Sequence, residues 1–284
     1  MSKIVIFGAG GRAGRHAVAE AVARGHHVTA VVRDPARHQH LLSPTPATLA
    51  TPAGPTPATL ATPGDPTSPA TPATQDVTPA SLAVDGRRLG GGERGGHGRP
   101  AGGGIASAGG GVTLVAGDVT DAGSVAAVAV GHDAAISVAA RLDVPSAEFY
   151  VAAARALVEG LARAAVGRLV LAGIGTTLEA APGVMVHDTP GFPEEARAFS
   201  LGHAAELEVL RDASTGLDWV VLAPPPVFLD DAPRTGRYRL GGGQVLPSSG
   251  EATFPYADFA VALVDEAQTP TRHRTLVAVA GLQG

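Results

Sequence analysis

The 284-residue chain contains no cysteine, which excludes disulfides, thiolate nucleophiles and every zinc site built on sulfur. Lysine is almost as scarce. Lys3, inside the first apolar segment, is its only copy, so no lysine elsewhere can serve as catalytic base, Schiff-base amine or phosphate-loop cation. Aromatic residues make up 4% of the chain, and much of its 45% apolar fraction is alanine, which thins the core. No apolar run approaches the roughly 18 residues of a membrane span, and Met1 and Ser2 lead straight into the first strand without a charged leader. The expectation is a cytoplasmic protein without a membrane partner. Basic clusters are missing too, and a net charge of -5 argues against nucleic acid as a partner. No metal is expected at its site.

What is present is concentrated near the amino end. The apolar segment Lys3-Ile-Val-Ile-Phe7 runs directly into Gly8-Ala-Gly10-Gly11-Arg12-Ala13-Gly14, followed by a helix over 15–24, a stop at Gly25 and a second strand, His27-Val-Thr-Ala-Val-Val32. Glycines at this bend let backbone N–H groups approach a pyrophosphate, where the helix dipole favours negative charge. The context of strand, turn, helix and strand lifts the motif above a chance spacing in a chain with 38 glycines. It points to a dinucleotide site.

From 41 to 111 the composition changes. Thr-Pro-Ala-Thr-Leu-Ala-Thr-Pro-Ala-Gly-Pro at 45–55 recurs almost unchanged at 56–66, and a glycine tract follows over 90–111. Frequent proline and few large apolar side chains predict a disordered, partly polyproline-like insertion, with a short helix around 79–84. It is either a tolerated surface expansion or a docking arm. Beyond it strands are expected at 112–116, 133–138, 168–171, 219–222 and 275–279, with helices from 122 to 130, from Ser146 as cap to 165, over 194–212 and over 256–266. The alternation predicts an α/β, Rossmann-like, doubly wound parallel sheet. The chain is then a single dinucleotide-binding domain over 1–284, interrupted by the insertion, with a small C-terminal cap that includes a hairpin at 236–246.

Several stretches together resemble the atypical short-chain dehydrogenase/reductase superfamily in its NmrA-like branch, and more narrowly the bacterial NADH-flavin reductase-like proteins related to biliverdin reductase B. They are residues 7–15, Val31-Val-Arg33-Asp34, Gly117-Asp118-Val119-Thr-Asp121, Val186-His187-Asp-Thr-Pro-Gly-Phe-Pro193, Arg234-Thr-Gly-Arg-Tyr238-Arg-Leu-Gly-Gly242 and 258–266. The resemblance implies cofactor contacts from Gly8, Gly10, Gly11, Arg12, Ala13, Gly14 and Arg33. Asp118 and Val119 are expected beside the adenine, and Ala139 and Ala140 beside the nicotinamide ribose. Asp118 reads equally as a turn residue. Arg33, at the end of the second strand, favours a 2′-phosphate and hence NADPH over NADH, although the adjacent Asp34 is placed to take the ribose instead.

Most members of the superfamily carry a serine after the fifth strand and a Tyr-x-x-x-Lys pair on the next helix. Here Leu171-Ala-Gly-Ile-Gly175 has no serine, and Phe199 and His203 stand where the pair would be. Hydride transfer to a flavin, quinone or similar planar acceptor makes smaller demands on acid–base groups, with FMN or another flavin as substrate rather than bound prosthetic group. His203 is the candidate proton donor, and Thr176, His187, Pro224, Phe228, Tyr238 and Tyr256 are candidates for the acceptor pocket. The alternative is a non-catalytic, dinucleotide-sensing regulator with a protein partner. A monomer or homodimer is expected in either case.

Overall fold

Strict alternation of apolar side chains decides which way each strand faces. In β1 (Lys3–Phe7), Ile4 and Ile6 enter one hydrophobic core while Val5 and Phe7 enter another, so both faces of the strand are covered. The computed structural model describes residues 1–43, 106–107, 111–247 and 253–282. After β1 come α1 (Arg12–Ala23) and β2 (His27–Val32), then a 3-10 turn over Pro35–Leu42, β3 (Ala106–Ser107) and β4 (Val112–Ala116). The chain continues through α2 (Ala122–Ala129), β5 (Ala134–Ser137), α3 (Ser146–Arg163), β6 (Arg168–Ala172), β7 (Glu179–Ala181), β8 (Val184–Met185) and α4 (Glu194–Asp212). It ends with β9 (Asp218–Ala223), β10 (Phe228–Asp230), β11 (Tyr238–Leu240), β12 (Thr253–Pro255), α5 (Tyr256–Gln268) and β13 (Thr275–Gly281).

The main sheet of the described residues runs β11-β13-β9-β6-β5-β1-β2-β4-β3. Its pairings from β13 to β4 are parallel, and β11 and β3 are added antiparallel at the two edges. The strand order reverses between β1 and β5, which makes that gap the topological switch point of a Rossmann-like fold. Helices α1 and α5 cover one face through Val18, Phe259 and Leu263, and α2, α3 and α4 cover the other through Val125, Leu157 and Leu210.

Local signals explain most boundaries. Gly25, at φ +78, donates to the Val22 carbonyl, and His26 donates to the Ala21 carbonyl, closing α1 in a Schellman motif. Asp121 caps α2 by accepting from Ser124 N at 2.6 Å. The expected cap at Ser146 is not formed. Pro145 occupies the N-cap position, and Ser146 Oγ instead donates to the Phe199 carbonyl at 2.8 Å, tying α3 to α4.

Further expectations meet the structure at particular residues. Of the interruption expected from 41 to 111, the described residues join the fold: Leu41 is buried in the core, Ala106–Ser107 pairs with β4, and Gly111 accepts from Val28 N at 2.6 Å, while 44–105 and 108–110 lie outside the described residues. The short helix expected near 79–84 lies outside the described residues. The segment 236–246 is no hairpin: β11 pairs with β13, and Gly243 and Val245 pair instead with Glu179. Helix α5 and strand β13 join the main sandwich, so the cap is reduced to the β7–β8 hairpin and the parallel β10–β12 pair.

The Arg-Thr-Gly segment before β11 is a structural clamp. Arg234 forms two hydrogen bonds to Glu20 of α1, and Asp258, at the start of α5, accepts from Thr235 N, Thr235 Oγ1 and Gly236 N. Tyr238 OH donates to Asp265 of α5 at 2.5 Å, and Arg24 at the end of α1 pairs with the same carboxylate. The motif thereby fastens the sheet edge to both helices of one face.

Candidate dinucleotide cleft

The cleft opens at the carboxyl ends of β1, β2, β4 and β5, where the switch point leaves a crevice between diverging connections. It has a volume of about 580 Å³. Gly8, Gly10, Gly11, Arg12 and Ala13 form its floor, and Val31, Val32, Arg33, Asp118 and Val119 line it on the side of β2 and β4. Ala139, Ala140, Arg141, Leu142 and Phe149 close the β5 side, and Tyr256 reaches in from α5.

The glycine requirement is steric at two positions. Gly8 sits at φ +78, and a Cβ there would lie 2.6 Å from Ala139 Cα, so a side chain would close the gap between β1 and β5. A Cβ on Gly14 would lie 2.2 Å from the Gly8 carbonyl oxygen and 2.7 Å from Ala9 Cα, so the helix can begin this close to the strand only with glycine there. Gly14 thus lies beneath the cleft and shapes it without lining it. At Gly11, the N-cap of α1, a Cβ would find only the Gly8 carbonyl oxygen, at 3.4 Å. Among the described residues no side chain caps this helix end, and no acidic residue stands in its first turn, so the amides that a helix cannot satisfy internally face the cleft floor together with the positive end of the dipole. A diphosphate fits this cradle.

Charge is distributed unevenly around it. Arg33 is exposed at the end of β2 and lines the cleft, whereas the Asp34 carboxylate accepts from Ala36 N at 3.0 Å and caps the following turn. Asp118 accepts from Thr120 N and Thr120 Oγ1, at 2.9 and 2.7 Å, so it closes a turn and lines the cleft at once. Arg141 is held by Asp143, whose carboxyl its hydrogen bonds pull down to about 2. Arg12 lies 5.3 Å above the Tyr256 ring and pairs with Asp231, which also holds Arg15 and His16.

The expected acceptor residues are less concentrated. Of them only Tyr256 lines the cleft. Thr176 is buried and bonded to Ser200 Oγ at 2.7 Å, His187 is buried with Nδ1 on the Thr176 carbonyl, Pro224 is buried beneath Gly175, and Phe228 is exposed on β10. Tyr238 belongs to the clamp at the sheet edge. His203 stands apart as well. Its side chain is 5% exposed, its ring centroid lies 3.7 Å from that of Tyr150, and its Nδ1 meets Glu206 at 3.1 Å inside the α3–α4 interface. Conversely, His38, Arg141, Leu142 and Phe149 line the cleft without having been singled out from the sequence. The position of Arg141, directly after the expected Ala139-Ala140 pair, was the available signal; His38 had none.

Comparison with known proteins agrees with this geometry. The family model described as NAD(P)H-binding matches residues 8–53 and 104–270, more than half of the chain. The chain belongs to this NAD(P)H-binding family. It is 32% identical over 84 residues to the uncharacterized protein YwnB of Bacillus subtilis, a match spanning 29% of this chain and 39% of that relative. Among solved structures, a "putative exported protein" from Burkholderia pseudomallei is 27% identical with a TM-score of 0.66, covering 99% of this chain and all of the other. A "putative NADH-flavin reductase" from Streptococcus pneumoniae is 21% identical with a TM-score of 0.65 over the same shares, which speaks to the fold.

Proposed function

We propose that this NAD(P)H-binding protein is an NADPH-dependent reductase that delivers hydride to a flavin, quinone or similar planar acceptor. The preference for the phosphorylated coenzyme is carried by one observation: Arg33 faces the cleft while its neighbour Asp34 is committed to capping the next turn. A guanidinium at this place favours a 2′-phosphate, and the carboxylate that would have taken the ribose hydroxyls and repelled the phosphate is turned away.

The bound coenzyme would supply the hydride. The chain's own contribution would be placement: the glycine cradle and the α1 terminus would hold the diphosphate, Asp118 and Val119 would flank the adenine, and Ala139 and Ala140 would leave room for the nicotinamide ribose. Acid–base chemistry is sparse. Phe199 and His203 face Tyr150 across the α3–α4 contact, so the helix face that would bear a tyrosine–lysine pair is filled by packing. That favours an acceptor whose reduced form takes protons from water. The name of the Streptococcus pneumoniae structure points to the same acceptor class.

The decisive experiment mixes purified protein with NADPH and FMN or a quinone and follows the nicotinamide absorbance. Loss well above the uncatalysed rate is expected. Tight NADPH binding without turnover on any acceptor would select a dinucleotide-sensing regulator instead. Arg33→Asp should weaken NADPH binding by roughly 10- to 100-fold and NADH by little. Equal losses for both coenzymes would overturn the assignment of Arg33.

A further inference from the structure

His38 is the least expected wall of the cleft. It stands where the Pro35–Leu42 turn kinks, at φ -125 and ψ 24, and its ring is laid against the glycine floor. A Cβ on Gly10 would lie 2.5 to 2.7 Å from three of its ring atoms. The imidazole Nδ1 is buried without a hydrogen-bond partner among the described residues. An apolar side chain would fill the space over Gly10 equally well and leave no polar atom unpaired, whereas a buried unpaired nitrogen is costly. The turn also brings His38 to the same cleft as Arg33, at the end where the adenosine is expected.

We infer that His38 is a specificity residue for the phosphorylated coenzyme, its imidazole hydrogen-bonding the phosphate on the adenosine ribose beside Arg33 and taking up one proton from solvent as it does so. This rests on the dinucleotide reading of the cleft and deepens it. Asp34, Arg37 and His40 lie on the same turn, Arg33 precedes it, Arg12 lies in the glycine turn, and Asp118 and Arg141 line the same cleft. Of the strands that pack against the turn, β4 carries no ionisable side chain and β2 carries His27 at the end away from it. Burial chiefly, then electrostatic repulsion from His40 and Arg37, holds the imidazole below its ordinary range against the opposing pull of Asp34. The coenzyme-free ring is therefore neutral near pH 7, with only one N–H to donate. An incoming phosphate reverses the local field, favours the imidazolium and gives both nitrogens a proton. Affinity for NADP(H) should rise as pH falls through the range where the bound imidazole gains its proton, and affinity for NAD(H) should not.

Isothermal titration calorimetry tests this with NADP⁺ and NAD⁺, at about pH 6.5 and about 8.5, in two buffers of different ionisation enthalpy. Wild-type protein should bind NADP⁺ about five- to tenfold more tightly at the lower pH, with net proton uptake, and NAD⁺ equally at both. His38→Gln, checked for an unchanged thermal transition, should lose most of that pH dependence and bind NAD⁺ as before. The ligand phosphate titrates near 6 on its own account, so the variant supplies the baseline for that contribution. If His38→Gln and His38→Leu weaken both coenzymes alike, His38 merely packs on Gly10 and the inference falls while the cleft assignment stands. The inference is also overturned if proton uptake with NADP⁺ persists undiminished in His38→Gln. Failure of the wild type to bind either coenzyme would overturn the proposed function itself.

Discussion

Arg234 joins a strand edge to a helix on the other side of the clamp by meeting Glu20 of α1 with two hydrogen bonds, 2.9 Å from Nε and 3.0 Å from Nη2. Glu20 is 8% exposed and shares its carboxylate with Arg24, so the charge is paired twice before it is buried. Arg234→Ala should therefore cost about 3 kcal/mol, read from chemical denaturation, while Tyr238→Phe, which removes only one hydroxyl bond to Asp265, should cost about 1 kcal/mol. Equal effects from the two variants would contradict the clamp.

The same carboxylate sets a pH dependence. Burial alone would raise the pKa of Glu20, but hydrogen bonds from Arg234 and Arg24 outweigh it and hold the group below its ordinary value near 4.5. A carboxyl depressed on folding stabilises above its unfolded pKa and loses that contribution as pH falls through the folded one. The difference in melting temperature between wild type and Glu20→Gln should thus be full at neutral pH and shrink below about pH 4.5. A constant difference across that range would exclude the linkage.

Two glycines share a left-handed backbone and differ in surroundings. Gly8 and Gly25 both sit at φ +78, but a Cβ on Gly25 meets nothing within 4 Å among the described residues. Gly25→Ala should cost about 1 kcal/mol of strain and leave coenzyme binding intact. Gly8→Ala should add a clash with Ala139 and abolish binding at comparable or greater loss of stability, measured by denaturation and calorimetry in parallel.

Helix α3 ends on a residue that is poorly suited to its place. Ala165 adopts φ 56 and donates to the Ala162 carbonyl, with Val166 reaching back to Leu161. Left-handed alanine costs about 1–2 kcal/mol, of which part is recovered by its stiffer unfolded chain, so Ala165→Gly should stabilise by about 0.5–1 kcal/mol. A lower melting temperature for the variant would refute this.

Asp231 gathers Arg12, Arg15 and His16 at the start of α1. His16 first, then Arg15 and Arg12 against the counter-effect of desolvation, keep its carboxyl well below the usual range, so it is ionised at any working pH. Asp231→Asn removes a negative charge beside the cradle and should tighten either coenzyme roughly threefold at low ionic strength, the gain fading with salt. Weaker binding would mean that Asp231 positions the arginines instead of competing for them.

How much of this was legible varies with how local the physics is. The glycine bend and the Gly25 stop depend on backbone conformations and short-range hydrogen bonds, and each stands where its residues indicated. The sheet alternation was equally readable. Ser146 misled because Pro145 took the cap position and the hydroxyl found a distant carbonyl on α4. The segment 236–246 misled because strand pairing is a choice among all free edges, and β13 offered a better one than a hairpin did. His203 has the same chemistry wherever it lies, and only the packing of α3 on α4 turned it toward Tyr150 and away from the cleft.

By itself the amino-acid order determined that a dinucleotide-type bend would follow the first strand and that the parallel sheet would be wound on both sides. Those properties follow from side-chain period and from the φ values that glycine alone adopts cheaply. Which residues wall the cleft was decided only in three dimensions. His38 and Arg141 come to it, and His187 and Tyr238 do not, because these meetings arise from long-range packing between elements whose spacing along the chain says nothing of their distance in space.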